Sequence, residues 1–207
     1  KNNKSLQEEN IALRKSSSVF LYNKLRTEAH VEDSIYAQQY DYIPGTILNA
    51  TTTKRNNFFT LNIGEIHGVK KGMGVFSSNG VVGIIHNTSE HFSVIKSVLT
   101  SNINIDVLIS EVGVSGMLKW DGVNDNIGSI SGVSNDITVP KGSTVVTRGG
   151  SGIFPRGIPV GRIKHTKTVE GEASWHIDLS FSQKYAALEN VYVVKNLFLE
   201  EFTQIQN

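Results

Sequence analysis

Three residues of this sequence are of the types that together perform nucleophilic catalysis, and they occur in the order His86, Asp106 and Ser151. In a catalytic triad the serine hydroxyl attacks the substrate, the histidine takes up its proton, and the aspartate orients the histidine. His86 follows the apolar residues 83–85, and Asp106 lies in an apolar stretch that predicts a β-strand. These three positions define a candidate hydrolytic site.

The order and context of these residues resemble those of the chymotrypsin-like serine proteases, which carry the triad on two β-barrels. Residues 149–152 fit the G-x-S-G pattern of that family's nucleophile loop. Three features differ: Gly150 stands where Asp is usual, apolar residues follow the serine where Gly-Pro is preferred, and His86 lacks an Ala-Ala-His context. Ser151 also has a structural explanation, because a small residue among glycines suits a tight turn. The protease is therefore the alternative to a non-enzymatic function.

The composition argues against several other kinds of site. The chain has no cysteine, so it forms neither a disulfide nor a cysteine-ligated zinc site. Its net charge of +1 is not concentrated in a basic block, which gives no support for nucleic-acid binding. No glycine-rich loop precedes a helix, and no histidine pair has a spacing typical of metal ligands. We therefore expect no cofactor, no metal and no small-molecule substrate.

Length and composition predict a β-rich globular chain. A length of 207 residues fits one large or two small domains, and a hydrophobic fraction of 39% suffices for a buried core. The 19 glycines indicate many short strands joined by tight turns. The sequence contains no run of about eighteen apolar residues, so it predicts no membrane-spanning helix within these residues. Because the sequence starts at Lys1 inside a helical pattern, we expect a longer protein with a membrane anchor ahead of this residue.

The first 40 residues predict a helix that pairs with a second copy of itself. Leu6, Leu13 and Phe20 are seven residues apart, and Asn10 occupies an a position when Leu6 is taken as d. A polar Asn at an a position favours a parallel dimer and fixes its register. The alternative is an amphipathic helix that packs on its own domain. We assign Leu6, Asn10, Leu13 and Phe20 to dimerisation.

From residue 45 onward the hydrophobic pattern changes to the two-residue period of β-strands. Short strands separated by turn residues are typical of a sandwich or a small barrel. Residues 69–75 are similar in sequence to residues 139–145, and residues 80–85 are similar to residues 157–163. This internal repeat predicts two related β-domains in tandem.

The repeat divides the chain into three expected parts. These are the dimerising helix at residues 1–40, a first barrel at 41–110 and a second barrel at 111–207. The chain is then mainly β, with two small barrels of the chymotrypsin-like six-stranded type. The pattern leaves open whether the last strands return to the first barrel.

One stretch, residues 148–163, combines glycines, prolines and apolar residues in a way that predicts a constrained turn at a barrel rim. Glycines permit positive φ or close backbone approach, and prolines fix φ. The apolar residues of this stretch are too many for a solvated loop, so we expect them to be buried. We assign a structural role to the following residues: Gly149, Gly150, Gly152, Ile153, Phe154, Pro155, Gly157, Ile158, Pro159 and Gly161.

The run from Gly152 to Gly161 resembles the signature of the MreC family of bacterial rod shape-determining proteins, whose usual form ends in FP-x-GIPVG. Segments at residues 6–10, 57–64 and 188–194 are also similar to the family's pattern, so the resemblance extends over most of the chain. Arg156 departs from it, because proline is common at that position.

This resemblance implies a non-enzymatic scaffold of the cell-wall elongation complex that maintains rod shape. It also implies a periplasmic location and an anchor in the inner membrane. The implied partners are a second copy of the chain, as dimer or filament, the elongation-specific penicillin-binding protein, the membrane protein MreD and, indirectly, the cytoskeletal protein MreB. We expect these partners to bind to exposed strand edges and apolar loop residues of the barrels.

Overall fold

The alternating segments of the sequence form twelve β-strands, preceded by one helix. The structure is a computed structural model that describes residues 5–15, 39–168, 171–199, 201 and 204. Helix α1 covers residues 5–15, and two single-turn 3-10 helices lie at Glu65–His67 and Tyr185–Ala187. Phe20, which was assigned to dimerisation, lies outside the described residues.

The strands are β1 (Tyr40–Ala50), β2 (Asn56–Leu61), β3 (Gly74–Phe76), β4 (Val81–Thr88), β5 (Ser93–Thr100), β6 (Ile105–Ile109), β7 (Val114–Lys119), β8 (Ile127–Ser131), β9 (Thr144–Thr147), β10 (Pro159–Thr168), β11 (Trp175–Phe181) and β12 (Asn190–Asn196).

These strands form two closed antiparallel barrels of six strands each. The order around the first barrel is β1-β12-β3-β4-β5-β2, and the order around the second is β10-β11-β8-β7-β6-β9. The prediction of a mainly β chain with a helix and two six-stranded barrels is thus confirmed. Closure gives each of the described strands two neighbours, so these residues leave few of the exposed strand edges that the sequence led us to expect.

Strand β6 belongs to a barrel other than the one its sequence position suggests, and β12 returns to the first barrel, a possibility that the sequence left open. Strand β6 pairs with β7 and β9 of the second barrel, whereas the expected boundary at residue 110 placed it in the first. Strand β12 lies between β1 and β3, with Tyr192 opposite both Pro44 and Phe76, and it closes the first barrel. A strand's own pattern shows which face is buried but not which distant strand it pairs with. As a statement about domains, the division at residues 40 and 110 remains a prediction.

The repeated sequences form the same turn in both barrels. Gly72 donates its N–H to the carbonyl of Ile85 (2.9 Å), and Gly142 donates to the carbonyl of Ile163 (2.8 Å). Each isoleucine donates back to the residue after the glycine, at 2.8 and 2.9 Å. Both glycines have positive φ, +90° and +87°, which a side chain would strain. The sequence repeat therefore corresponds to a structural repeat.

One hydrophobic core runs through both barrels without interruption. Alternate residues of β6 and β11 point inward, and Ile105, Val107, Ile177 and Leu179 are at most 3% exposed. Among the described residues, no helix has the length and apolar character needed to cross a membrane.

Candidate functional site

The loop between β9 and β10 is held in shape by the buried side chain of Thr147, the last residue of β9. Its Oγ1 donates to the carbonyl of Pro155 (2.6 Å) and accepts the N–H of Ile158 (3.0 Å). The backbone of Thr147 also bonds with Gly157 and Ile158. Positive φ angles of +87°, +71° and +97° turn the chain at three glycines, which are Gly149, Gly152 and Gly157.

This loop places Phe154 against the first barrel. Phe154 is buried, and a Cβ added to Gly74 of β3 would lie only 2.5 Å from its ring and 2.7 Å from the carbonyl of Ile153. Asn196 of β12 donates its side-chain N–H to the carbonyl of Gly152 (3.0 Å). The loop of the second barrel is therefore docked on β3 and β12 of the first.

A second set of contacts comes from the segment between β11 and β12. The hydroxyl of Ser77 donates to the side-chain carbonyl of Gln183, and the hydroxyl of Tyr185 donates to the carbonyl of Val81 (3.1 Å). Burial raises the pKa of Tyr185, so this phenol stays a neutral donor. We call these two sets of contacts, residues 149–158 and 183–185 against the first barrel, the barrel joint.

The barrel joint contains most of the residues to which the sequence assigned a structural role, and the other two, Pro159 and Gly161, lie on β10. Phe154, Pro155 and Ile158 are buried, and Ile153 is half-buried. Gly161 lies on β10, where a Cβ would approach the carbonyl of Ser180 to 2.2 Å. Their role stays a prediction until it is tested by substitution.

The first-barrel side of the joint was not foreseen from the sequence. Gly74 follows Gly72 in the chain, and only Gly72 is needed for the turn. A second glycine where no turn requires one is a signal of close backbone approach. Asn196 and Gln183 carry no such signal, because a polar residue at a strand end or in a loop is ordinary.

The structure does not assemble the candidate triad. The ring of His86 packs against Phe58, with ring centroids 5.6 Å apart, on the outside of the first barrel. The carboxylate of Asp106 faces Arg148 (3.5 Å) in the second barrel. The Oγ of Ser151 accepts the N–H of Ile153 at 3.5 Å. Within the described ranges no hydrogen bond or ion pair joins any two of the three residues, so the geometry does not support the protease.

The described residues also form no metal site and no pocket around the candidate triad. No three His, Asp or Glu side chains of this part of the chain gather where they could hold a metal ion. An open groove of about 450 Å³ lies between α1 and the first barrel, lined by residues such as Gln7, Thr46 and Asn190. Its lining includes no member of the candidate triad.

Helix α1 packs one of its faces on the first barrel. Gln7 donates to the side-chain oxygen of Asn190 on β12 (3.0 Å), and Ile11 packs against the core. The guanidinium of Arg14 lies 4.8 Å from the ring centre of Phe76, a cation–π contact. At the next residue, the ammonium of Lys15 reaches the carboxylate of Asp41 (2.6 Å). The helix is thus tied to the barrel along its described length.

The neighbouring face of α1 is turned to solvent. Leu6 and Leu13 are 53% and 63% exposed, and Asn10 between them is exposed too. The side chain of Asn10 donates to the carbonyl of Leu6 (2.8 Å) within the helix. Of the residues assigned to dimerisation, Leu6, Asn10 and Leu13 therefore form an accessible stripe on an anchored helix.

The chain matches the family model of the barrel core of rod shape-determining protein MreC over residues 47–195. The chain belongs to the MreC family. The cell shape-determining protein MreC of Listeria monocytogenes is 24% identical over 147 residues, which is 70% of this chain and 49% of the relative. MreC of Haemophilus influenzae is 26% identical over 201 residues, or 91% of this chain and 55% of the relative. The chain thus spans about half the length of these curated relatives.

Solved MreC structures share the fold. Listeria monocytogenes MreC has a TM-score of 0.74 at 22% identity, covering 95% of this chain and 96% of that one. A structure of the major periplasmic domain from the cell shape-determining filament MreC has a TM-score of 0.66 at 16% identity, covering 77% and 98%. A complex between penicillin-binding protein PBP2 and MreC from Helicobacter pylori has a TM-score of 0.61 at 17% identity, covering 76% and 99%.

Proposed function

We propose that this chain is a non-enzymatic scaffold of the cell-wall elongation complex, located in the periplasm and held at the inner membrane. Its membership of a family of cell shape-determining proteins supports this role. The location is supported by the solved periplasmic domain of MreC with the same fold. A scaffold works by binding, so the relevant features are surfaces that are accessible and rigidly placed.

The observation that carries the proposal is the division of α1 into two faces. Gln7, Ile11 and Arg14 tie the helix to the first barrel, while Leu6 and Leu13 remain exposed. Exposed leucines three and four residues from a polar Asn suit a parallel coiled coil in which Asn10 meets its counterpart. Self-association through α1 would bring two pairs of barrels together at a fixed distance from the membrane.

Light scattering tests the dimer, using the full chain, the variant Asn10→Leu and the control Glu8→Gln. We expect a dimer for the full chain, and a more stable dimer or a higher order for Asn10→Leu, because Asn at an a position costs stability and specifies two strands. Glu8 is exposed at an f position, so Glu8→Gln is expected to leave the mass unchanged. A monomeric mass for all three proteins would contradict dimerisation through α1.

We propose the elongation-specific penicillin-binding protein as a partner, together with MreD and, indirectly, MreB. The Helicobacter pylori complex between PBP2 and MreC supports the first of these. Surface plasmon resonance with the purified ectodomain of the cognate penicillin-binding protein tests it. Saturable binding to the full chain is expected, and its absence at micromolar concentrations would count against this partner.

We propose that the two barrels are of the chymotrypsin-like type without the chemistry of that class. Two closed six-stranded barrels in tandem support the type, and the scattered positions of His86, Asp106 and Ser151 support the lack of catalysis. A fluorophosphonate probe is expected to leave the protein unlabelled. Stoichiometric labelling that Ser151→Ala abolishes would overturn the non-enzymatic assignment.

A further inference from the structure

The second half of β10 has a neighbouring strand on one side only. Strand β9 pairs with β10 from Pro159 to Arg162, and Ile163 bonds with the turn at residues 142–143. Beyond Ile163, and as far as the structure describes the chain, β10 pairs with β11 alone. Residues 164–168 therefore form an open edge on an otherwise closed barrel.

The direction of the backbone groups on this edge follows from the register. Trp175 donates its N–H to Val133 (2.8 Å), so its backbone polar groups point away from β10. In an antiparallel pair, directly opposite residues either both point toward each other or both point away. Thr168 lies opposite Trp175, and Thr166 is two residues earlier on the same strand. Both threonines therefore turn an N–H and a C=O toward the open side.

Two lysines give this edge positive charge. Lys164 and Lys167 are both exposed. On β11 the carboxylate of Asp178 is already engaged, at 3.3 Å from His176 and 3.8 Å from Lys167. Lysines on an edge oppose pairing with a second copy of the same edge, because like charges would meet across the new ladder. An incoming strand with carboxylates is attracted instead.

We propose that residues 164–168 of β10 bind an extended acidic segment of a partner protein as an added strand. The backbone groups of Thr166 and Thr168 would form the new ladder, Lys164 would pair with one carboxylate, and Lys167 would share its exposed ammonium between Asp178 and another. The bulge between Ile163 and His165 separates this edge from the part of β10 that β9 covers. This docking edge is independent of the scaffold function proposed above.

The proposal is tested by nuclear magnetic resonance on the full 207-residue chain. The probe is an N-acetylated, C-amidated heptapeptide that alternates valine and glutamate. We expect slower amide exchange at Thr166 and Thr168 when the probe binds. The combined variant Lys164→Glu and Lys167→Glu should weaken binding about tenfold or more, because two attractive cross-strand pairs become repulsive. Lys119→Glu, an exposed cation on β7, is the matched control and should bind as the unaltered chain does.

A backbone variant separates strand addition from simple charge attraction. Thr166→Pro removes an N–H on the open side of β10 but no hydrogen bond to β11. The barrel should therefore stay closed, and the peptide should no longer slow amide exchange at Thr168. If circular dichroism shows that this variant is unfolded, the charge-reversed protein and its control decide alone. Protection at other strands, or unchanged affinity after charge reversal, would overturn the proposal. Binding to phosphatidylglycerol vesicles would also overturn it if charge reversal abolished that binding and Thr166→Pro left it intact. The edge would then bind a membrane surface and not a protein strand.

Discussion

Gly74 packs so closely against the ring of Phe154 that it leaves no room for a side chain. A methyl group there would overlap the ring and the carbonyl of Ile153, and both are fixed by the loop. We expect Gly74→Ala to lower the free energy of unfolding by about 1–3 kcal/mol, the usual cost of overpacking. Urea denaturation followed by tryptophan fluorescence measures the change.

Gly150→Ala is the matched control for this substitution. Its added methyl group would meet only the ends of the Asp106 and Arg148 side chains, at 3.1 and 3.9 Å, and both can move. The expected change in unfolding free energy is below about 0.5 kcal/mol. Equal effects of the two substitutions would show that close packing against Phe154 does not hold the barrel joint together.

Tyr185 makes the stability of the barrel joint sensitive to alkaline pH. Burial raises the pKa of Tyr185 and raises the pKa of Tyr40 to about 12, while an unfolded tyrosine ionises near pH 10. Because the folded pKa is the higher one, stability is fully present below pH of about 10 and falls as the pH rises above it.

We therefore expect Tyr185→Phe to have opposite effects at neutral and high pH. At pH 7 it should cost about 1–2 kcal/mol, because the carbonyl of Val81 loses its buried donor. Above pH 10 the decline in stability should be shallower than in the unaltered protein, because one ionisable group is gone. Urea midpoints measured from pH 7 to 11.5 give both quantities, and parallel declines would contradict the assigned role.

At the scale of elements, the attachment of α1 to the first barrel depends on Asp41. Burial raises the pKa of this carboxyl, but hydrogen bonds from Lys15 and Tyr42 outweigh that effect and hold it below the usual value. The stabilisation that ionised Asp41 provides is therefore fully present above its unfolded pKa, near 4. It is lost as the pH falls through the lower pKa of the folded state. We expect amide exchange of residues 5–15 to accelerate in Asp41→Asn at neutral pH. Asp178→Asn, on the second barrel, is the control and should leave α1 protected.

The elements themselves could be predicted from the sequence more readily than their neighbours. The two-residue period indicates β6 and β11 correctly, and the glycines at 72 and 142 mark the repeated turns. The barrel to which β6 belongs could not be predicted, because a strand's own pattern does not show which strands it pairs with. The same holds for β12, whose pairing with β1 joins residues as far apart in sequence as Asn196 and Tyr40. For the same reason the apolar loop around Phe154 was expected to be buried, but its contact with Gly74 was not.

At the scale of the whole molecule, the two barrels are expected to unfold as one unit. Their cores are continuous, and Phe154 and Tyr185 join them through buried contacts. Calorimetry should show one transition whose van't Hoff and calorimetric enthalpies agree. Phe154→Ala should cost about 3–5 kcal/mol and separate the transition into two. Two transitions in the unaltered chain would show that the barrel joint does not couple the barrels.

The position of β12 also determines the order in which the barrels can be completed while the chain is synthesised. The second barrel is built from contiguous residues, 105–181, and can close as soon as they have emerged. The first barrel must wait for Asn190–Asn196, so β1 and β3 keep unpaired edges until these residues have been synthesised. The barrel that begins first is therefore completed last. A nascent chain stalled between residues 181 and 190 would carry one finished barrel and one with the open edges that favour aggregation.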